Sequence, residues 1–258
     1  MLALLAAACG ARLMKLPSGP GAPAPDAREA LAEATAACRA VSTMTAEIAV
    51  TGSAGGHRVR GRLLAGVAPP ASARLEAVAP FGQPFFIFVS RNNDATLLLP
   101  REDRILEHGR PAAVLDAVAG IPIDASDLRE TLTGCAFAPD VAGARQLGDV
   151  WRIIPDGPGY VYLRRDSRWQ LVAMVRRDPE GRDWRVEYSD FSAGLPRTIR
   201  LTSLVGDRFD LTLRLSQVET NVPLDADVFR VQIPRTSQPI TIDELRRSGP
   251  LGQKADGR

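Results

Sequence analysis

The residues that could do chemistry are few and far apart. The 258-residue chain holds three cysteines, at 9, 38 and 135, and two histidines, at 57 and 108. A metal centre needs His, Cys or carboxylate ligands brought close together. His57 and His108 fall in separate strand-like segments, so no metal is expected. A Ser-His-Asp site would need one of them beside a nucleophile. No G-x-S-x-G elbow occurs, and Gly52-Ser53-Ala54-Gly55 lacks its spacing. Gly249-Pro250-Leu251-Gly252-Gln253-Lys254 does not fit a phosphate-binding loop. Asp124 and Asp127 read as helix-start carboxylates. Lys plus Arg number 32 against 30 Asp plus Glu, without the basic excess of a nucleic-acid binder. The expectation is therefore a chain with no catalytic residue, no metal and no cofactor, whose informative chemistry is that of its thiols.

Cys9 ends a short apolar run, Met1 to Ala8, too short to cross a bilayer. Leu5-Ala6-Ala7-Ala8-Cys9 resembles the lipobox of bacterial lipoprotein signals, in which the cysteine thiol takes a diacylglycerol. On that reading residues 1–9 are a signal ending at the lipidated cysteine. Residues 10–26, rich in Pro, Gly and Ala with no hydrophobic period, are a flexible tether holding a soluble domain off a membrane. Gly10 stands where Asp would retain such a protein, which implies the outer membrane of a diderm bacterium, facing the periplasm. In an oxidising compartment the remaining pair, Cys38 and Cys135, suggests a disulfide. The other reading of Cys38 is a small buried hydrophobe.

The elements around these residues are mostly strands. Asp26 is placed to cap a helix over about 27–41, with Leu31, Ala34, Cys38 and Val41 on one stripe. Met44, Ala46, Ile48 and Val50 then alternate with polar residues. Arg58, Arg60 and Arg62 alternate with Val59, Gly61, Leu63 and Ala65. Further strands are expected over 74–77, 85–90, 95–99 and 104–107. Between two of them lies Pro80-Phe81-Gly82-Gln83-Pro84, a turn with a large apolar residue at its tip. Phe81 either folds back onto the core or projects outward to lipid or a partner. Pro111 opens a helix ended by Gly120, and Asp124 caps a second one ended by Gly134. Strand alternation resumes at Trp151/Ile153, Val161/Leu163, Trp169/Leu171/Ala173/Val175, Trp184/Val186/Tyr188, Ile199/Leu201, Phe209/Leu211/Leu213/Leu215 and Phe229/Val231/Ile233. The arginines from Arg164 to Arg185 are interleaved with acids and read as a solvated face, or as a contact for anionic headgroups.

The expected fold is mainly β with an α cover: one antiparallel sheet of about a dozen strands, curled into a half-open barrel and closed by short helices. The half-barrel domain spans 27–235. Residues 236–258 are a tail, with a small helix near 242–246 and a loose end. An apolar concave face needs a cover. Either the three helices fill it, or apolar volume remains for a ligand.

In this order of features the chain resembles the outer-membrane lipoprotein receptors of the LolB type, and more broadly the LolA/LolB lipoprotein-carrier fold. The resemblance rests on Cys9, on Pro80-Phe81-Gly82-Gln83, where the receptor has a Pro-Leu-Gly turn, and on the run Gly120 to Gly134 (GIPIDASDLRETLTG). It also rests on Trp184-Arg185-Val186-Glu187-Tyr188 near Leu195-Pro196. It covers roughly 28–235. It implies a hydrophobic cavity for lipoprotein acyl chains or lipids, lined by Val50, Leu63, Leu75, Trp184, Val186 and Leu213 and covered by Val114, Leu115, Ile121, Ile123, Leu128 and Leu132. It further implies a membrane-facing loop at Pro80, Phe81 and Gly82, a periplasmic LolA-like donor, and a monomer. Phe81 departs from the receptor's leucine, and the Cys38/Cys135 pair and the long C-terminus have no counterpart in the family pattern. Two other readings stand beside this one: an envelope binding or assembly lipoprotein with a filled core, and an envelope hydrolase.

Overall fold

The computed structural model describes residues 13–79, 81–178 and 180–248. Cys9, Pro80 and the last ten residues lie outside them. β1 (Ala22–Pro23) and α1 (Ala27–Arg39) precede the strands β2 (Met44–Ala54), β3 (His57–Ala68), β4 (Ser72–Val78), β5 (Phe86–Arg91), β6 (Asp94–Leu99) and β7 (Arg104–Gly109). Helices α2 (Pro111–Ala119) and α3 (Ala125–Thr133) follow. Then come β8 (Arg145–Leu147), β9 (Trp151–Asp156), β10 (Gly159–Arg165), β11 (Trp169–Arg177), β12 (Asp183–Ser189), β13 (Thr198–Ser203) and β14 (Phe209–Thr220). β15 (Gln238–Pro239) and α4 (Ile242–Ser248) end the described chain.

Among the described residues these strands form one open sheet in the order β1-β8-β9-β10-β11-β12-β13-β14-β2-β3-β4-β5-β6-β7-β15. Neighbours in sequence pair as antiparallel hairpins, as short connections favour. The long β14–β2 ladder closes the centre, with Leu213 opposite Val50 and Leu215 opposite Ile48. One face carries Ile48, Val50, Leu75, Phe88, Leu97, Leu163, Leu171, Val186, Ile199 and Leu213, all buried in a single cluster with α1, α2 and α3. Period-two alternation is what puts them there.

The short helices form for local reasons. Pro111 sits at the first turn of α2, where its missing N–H costs nothing, and Gly120 ends the helix in the left-handed region. Asp124 accepts the Asp127 N–H at 2.8 Å at the start of α3. Gly134 ends α3 with φ +65, a conformation that disfavours any side chain. Asp26 behaves differently from expectation. It stands at the cap position of α1, but its carboxylate makes no cap bond and instead pairs with Arg152 at 2.7 and 2.8 Å. A bidentate guanidinium is the stronger partner.

Four further expectations are corrected. First, Ala173 and Val175 do not continue the inner face begun by Trp169 and Leu171. The β10–β11 register shifts, with Tyr162 opposite Ala173 and Leu163 opposite Leu171, so Val172 is an extra residue. Such a bulge reverses the parity beyond it. Met174 joins the inner cluster, and Ala173 the outer one. Second, Phe229, Val231 and Ile233 make no strand. Residues Ala226–Phe229 form a 3₁₀ turn, only Phe229 of the three is buried, and Pro234 lacks the N–H that a continuing ladder needs.

Third, the chain after 235 is not a tail as far as Ser248. β15 pairs in parallel with the β7 edge, and α4 packs on α2 with Ile240 and Leu245 buried. Fourth, residues 13–26 are docked rather than a free tether. β1 pairs with β8. Met14 and Leu16 cover an outer-face apolar patch of Ile153, Tyr162, Val172 and Ala173. The Met14 N–H donates to Glu187 at 2.8 Å, and Arg185 donates to the Met14 carbonyl. The outer face is therefore not uniformly polar, and the bulge at Val172 supplies part of the patch. Among the described residues no helix is long and apolar enough to cross a membrane.

Candidate functional site

The inner face collects the residues expected to line and cover a cavity. Val50, Leu75, Trp184, Val186 and Leu213 on the sheet meet Val114, Leu115, Ile121, Ile123, Leu128 and Leu132 of the cover in one buried cluster, with Leu63 partly buried against it. α3 packs on β3 and β4, α2 on β6, and α1 on β9, β10 and β11. Cover side chains fill the concavity in this arrangement: Val114 and Leu132 are at most 1% exposed. Two surface hollows, of about 340 and 310 Å³, lie elsewhere. One is on the outer face around Glu47, Leu64, Arg74 and Glu76, the other beside the start of α1.

The cover is fastened unequally. At the end of α3, Cys135 is bonded to Cys38 of α1, closing a separation of 97 residues. Arg39 donates to the Ala136 and Phe137 carbonyls, and Arg129 donates to the Val41 carbonyl at 3.0 Å. α2 has no covalent fastening. Asp116 pairs with Arg208 at 2.5 Å, and α4 lies against it.

A polar node sits at the inner edge of α3. Arg176, placed on the inner face by the bulge, pairs with Glu130 of α3 and with Asp156 of β9 at 2.6 Å. Burial pushes the Glu130 carboxyl up, and the Arg176 charge pulls it back. Burial and the Asp124 charge push the nearby Asp127 carboxyl up to about 6, against the pull of Arg176. The Tyr188 hydroxyl is buried with no hydrogen-bond partner, and burial holds it protonated. The sequence reading missed this node, because strict alternation assigns Arg176 to solvent. The acids interleaved with the arginines were the one signal that could have found it, since the extra residue in β11 shows only in its pairing with β10. Three further arginines of that stretch are ion-paired, Arg177 with Asp183, Arg182 with Asp178 and Arg185 with Glu187, while Arg164 and Arg165 lie over the Trp151 and Trp169 rings.

The β4–β5 loop shows the opposite burial. Phe81 is 89% exposed, and Gly82 beside it has φ +78. The loop is braced from the β6–β7 turn. Arg101 donates to the Gln83 carbonyl at 3.1 Å and to the Phe81 carbonyl at 3.3 Å, and its guanidinium lies 4.0 Å from the Phe85 ring centroid. An exposed apolar tip thus sits on a hydrogen-bonded base. The two histidines do not share a site. His57 begins β3 opposite Ala54, whereas His108 lies at the far end of β7, near Asp94. Among the described residues no group of three His, Cys, Asp or Glu is arranged to hold a metal.

No protein-family model matches the sequence, and no curated protein sequence matches it significantly. Solved structures do match. A LolA superfamily protein from Nitrosomonas europaea superposes with a TM-score of 0.56 at 13% identity, over 80% of this chain and 97% of that one. A DUF1329 family protein from Desulfovibrio piger superposes with a TM-score of 0.54 at 11% identity, over 81% and 98%. Identities this low speak to fold alone. On that basis the chain has the LolA-like fold, a mainly β architecture in which one open, largely antiparallel sheet carries short helices on its inner face.

Proposed function

We propose that the chain is an outer-membrane lipoprotein of the LolB type, anchored through lipidated Cys9. It accepts acyl chains of lipoproteins or lipids from a LolA-like periplasmic carrier, holds them under its cover and releases them into the membrane, as a monomer without catalytic chemistry. The observation that carries this reading is Phe81. Burying a phenylalanine is worth ~1.5–3 kcal/mol, yet the fold forgoes it and braces the residue outward with Arg101. A membrane end for that side chain is the use that compensates.

The concave face takes ligand by exchange. Moving α2 exposes Val114, Leu115 and Val118 at ~1.5–3 kcal/mol each, whereas an acyl chain of about fifteen methylenes gains ~0.8 kcal/mol per methylene relative to exposure in water, about 12 kcal/mol in all. The ligand term is the larger even before contacts with the displaced cover are counted. The anchor is a short leash on this reading. Met14 is docked on β12, and the five residues from Cys9 to Met14 reach at most about 17 Å. That holds the outer face of β9–β12 close to the bilayer.

The test separates binding from delivery. Phe81→Glu should bind a fluorescent acyl probe as the parent does and lose transfer to vesicles. Unimpaired transfer by that variant rejects the loop's role. The second reading, a binding or assembly lipoprotein with a filled core, is favoured by the packed concavity. Mass spectrometry of lipid co-purified with the protein decides between them, since the filled-core reading expects none.

A further inference from the structure

The end of the sheet that carries Phe81 carries more than one exposed apolar tip. The loop that carries Phe81 and Phe85, the hairpin at Gly55-Gly56 and the turn over 204–208 all lie there, because Val78 is opposite Arg62, Ala54 opposite both His57 and Phe209, and Thr202 opposite Asp210. Phe81, Phe85, Leu204 and Val205 are 89%, 42%, 44% and 54% exposed. The second tip is fixed as the first is. The Leu204 N–H donates to the Asp183 carbonyl at 2.9 Å, and the Ser203 hydroxyl donates to the Val205 carbonyl at 2.7 Å.

Between these tips the β2–β3 hairpin projects. Pairing of β3 with β4 begins only at Arg62, so residues 57–61 stand beyond the β4 edge. The hairpin from Thr51 to Leu64 has three arginines and no acid. Arg58, Arg60 and Arg62 share the outer face, opposite the small side chains Ser53, Thr51 and Ala49 of β2. Arg62 is held by Glu47 at 3.4 Å; among the described residues Arg58 and Arg60 have no carboxylate partner. The acids at this end lie outside the hairpin: Glu102, Asp103, Glu180 and Asp207 belong to neighbouring turns, and Asp116, Asp178 and Asp183 are paired with Arg208, Arg182 and Arg177, so the positive excess is local to the hairpin.

We infer that this hairpin is an electrostatic membrane contact. Arg58 and Arg60 dock on anionic phospholipid headgroups while Phe81 and the Leu204-Val205 turn enter the apolar layer beside them. Arginine suits both parts of such an interface, with its stem on apolar surface and its guanidinium on phosphate. The inference rests on the reading that the Phe81 end meets a membrane, and adds to it a lipid class and two further elements. The competing use of alternating arginines is to guard the unpaired edge of β3 against another strand.

The experiment uses the full chain carrying Cys9→Ser, so that no attached lipid contributes, and measures binding to phosphatidylcholine vesicles with and without phosphatidylglycerol. The parent should prefer the anionic vesicles, and added salt should erase the preference. Arg58→Gln with Arg60→Gln should lower binding to anionic vesicles about thirtyfold, at ~1 kcal/mol per surface charge and 1.4 kcal/mol per tenfold. The lysine pair should retain it. Arg91→Gln with Arg168→Gln, the same charge change at the end of β5 and in the β10–β11 turn, at the other end of the sheet, should have no such effect. Phe81→Glu should weaken binding to both vesicle types. If it does not while the arginine pair still matters, the membrane reading of Phe81 fails and the hairpin contact stands. Parent-like binding by the glutamine pair overturns the inference, and self-association of that variant on sizing would assign the arginines to edge protection.

Discussion

The two ends of the helical cover are fastened by different physics. At one end the Cys38–Cys135 bond, Arg39 and Arg129 join α1 to the end of α3. At the other, α2 rests on apolar packing, the Asp116–Arg208 ion pair and α4. A covalent link does not open on the timescale of binding, whereas an ion pair with both side chains about a quarter exposed is worth ~1 kcal/mol or less. If the concavity opens, it opens at α2, with the α3 end as the fixed point.

Breaking the strong end should have the largest effect. Cys38→Ser with Cys135→Ser removes a cross-link over a 97-residue separation, which is worth about 4 kcal/mol. Chemical denaturation should show this loss, and reductant should reproduce it in the parent. Equal midpoints in parent and variant would mean that the α3 end is no better fastened than α2.

The start of α3, between the two ends, should respond to pH. Below pH ~4 Asp127 is protonated in both folded and unfolded chains. Above its raised value of about 6 it is ionised in both, and the folded state then carries the burial cost. Stability should therefore fall as pH rises from 4 to 6, by up to about 3 kcal/mol from this group. Asp127→Asn should flatten that slope and raise stability at pH 7. A parent-like pH profile in the variant would remove Asp127 from the account.

The smallest effect belongs to the weak end. Asp116→Asn should cost about 1 kcal/mol or less in stability and speed acyl uptake measured by stopped-flow fluorescence. Slower uptake would place the opening elsewhere.

This difference between the ends was only partly legible in the sequence. Helices α2 and α3 were readable because Pro111, Gly120, Asp124 and Gly134 are local punctuation, acting through their own backbone. The strands were readable from alternation, and Phe209 to Leu215 lie where that pattern puts them. What was lost depends on pairing between distant segments. The extra residue at Val172 shows only against β10, so Arg176 read as a solvated charge. β15 and α4 dock on β7 and α2 with few apolar residues, Ile240 and Leu245 chief among them. The Pro/Gly-rich segment before α1 has no period, yet Met14 and Leu16 find an apolar patch that the bulge helps to create.

Hydrogen exchange with and without a long-chain acyl ligand addresses the unequal cover most directly. Ligand should change protection in α2 and in residues 120–124, while α1 and the end of α3 stay as they were. Uniform change across α1, α2 and α3, or none at saturating ligand, would show that the concave face does not open at α2.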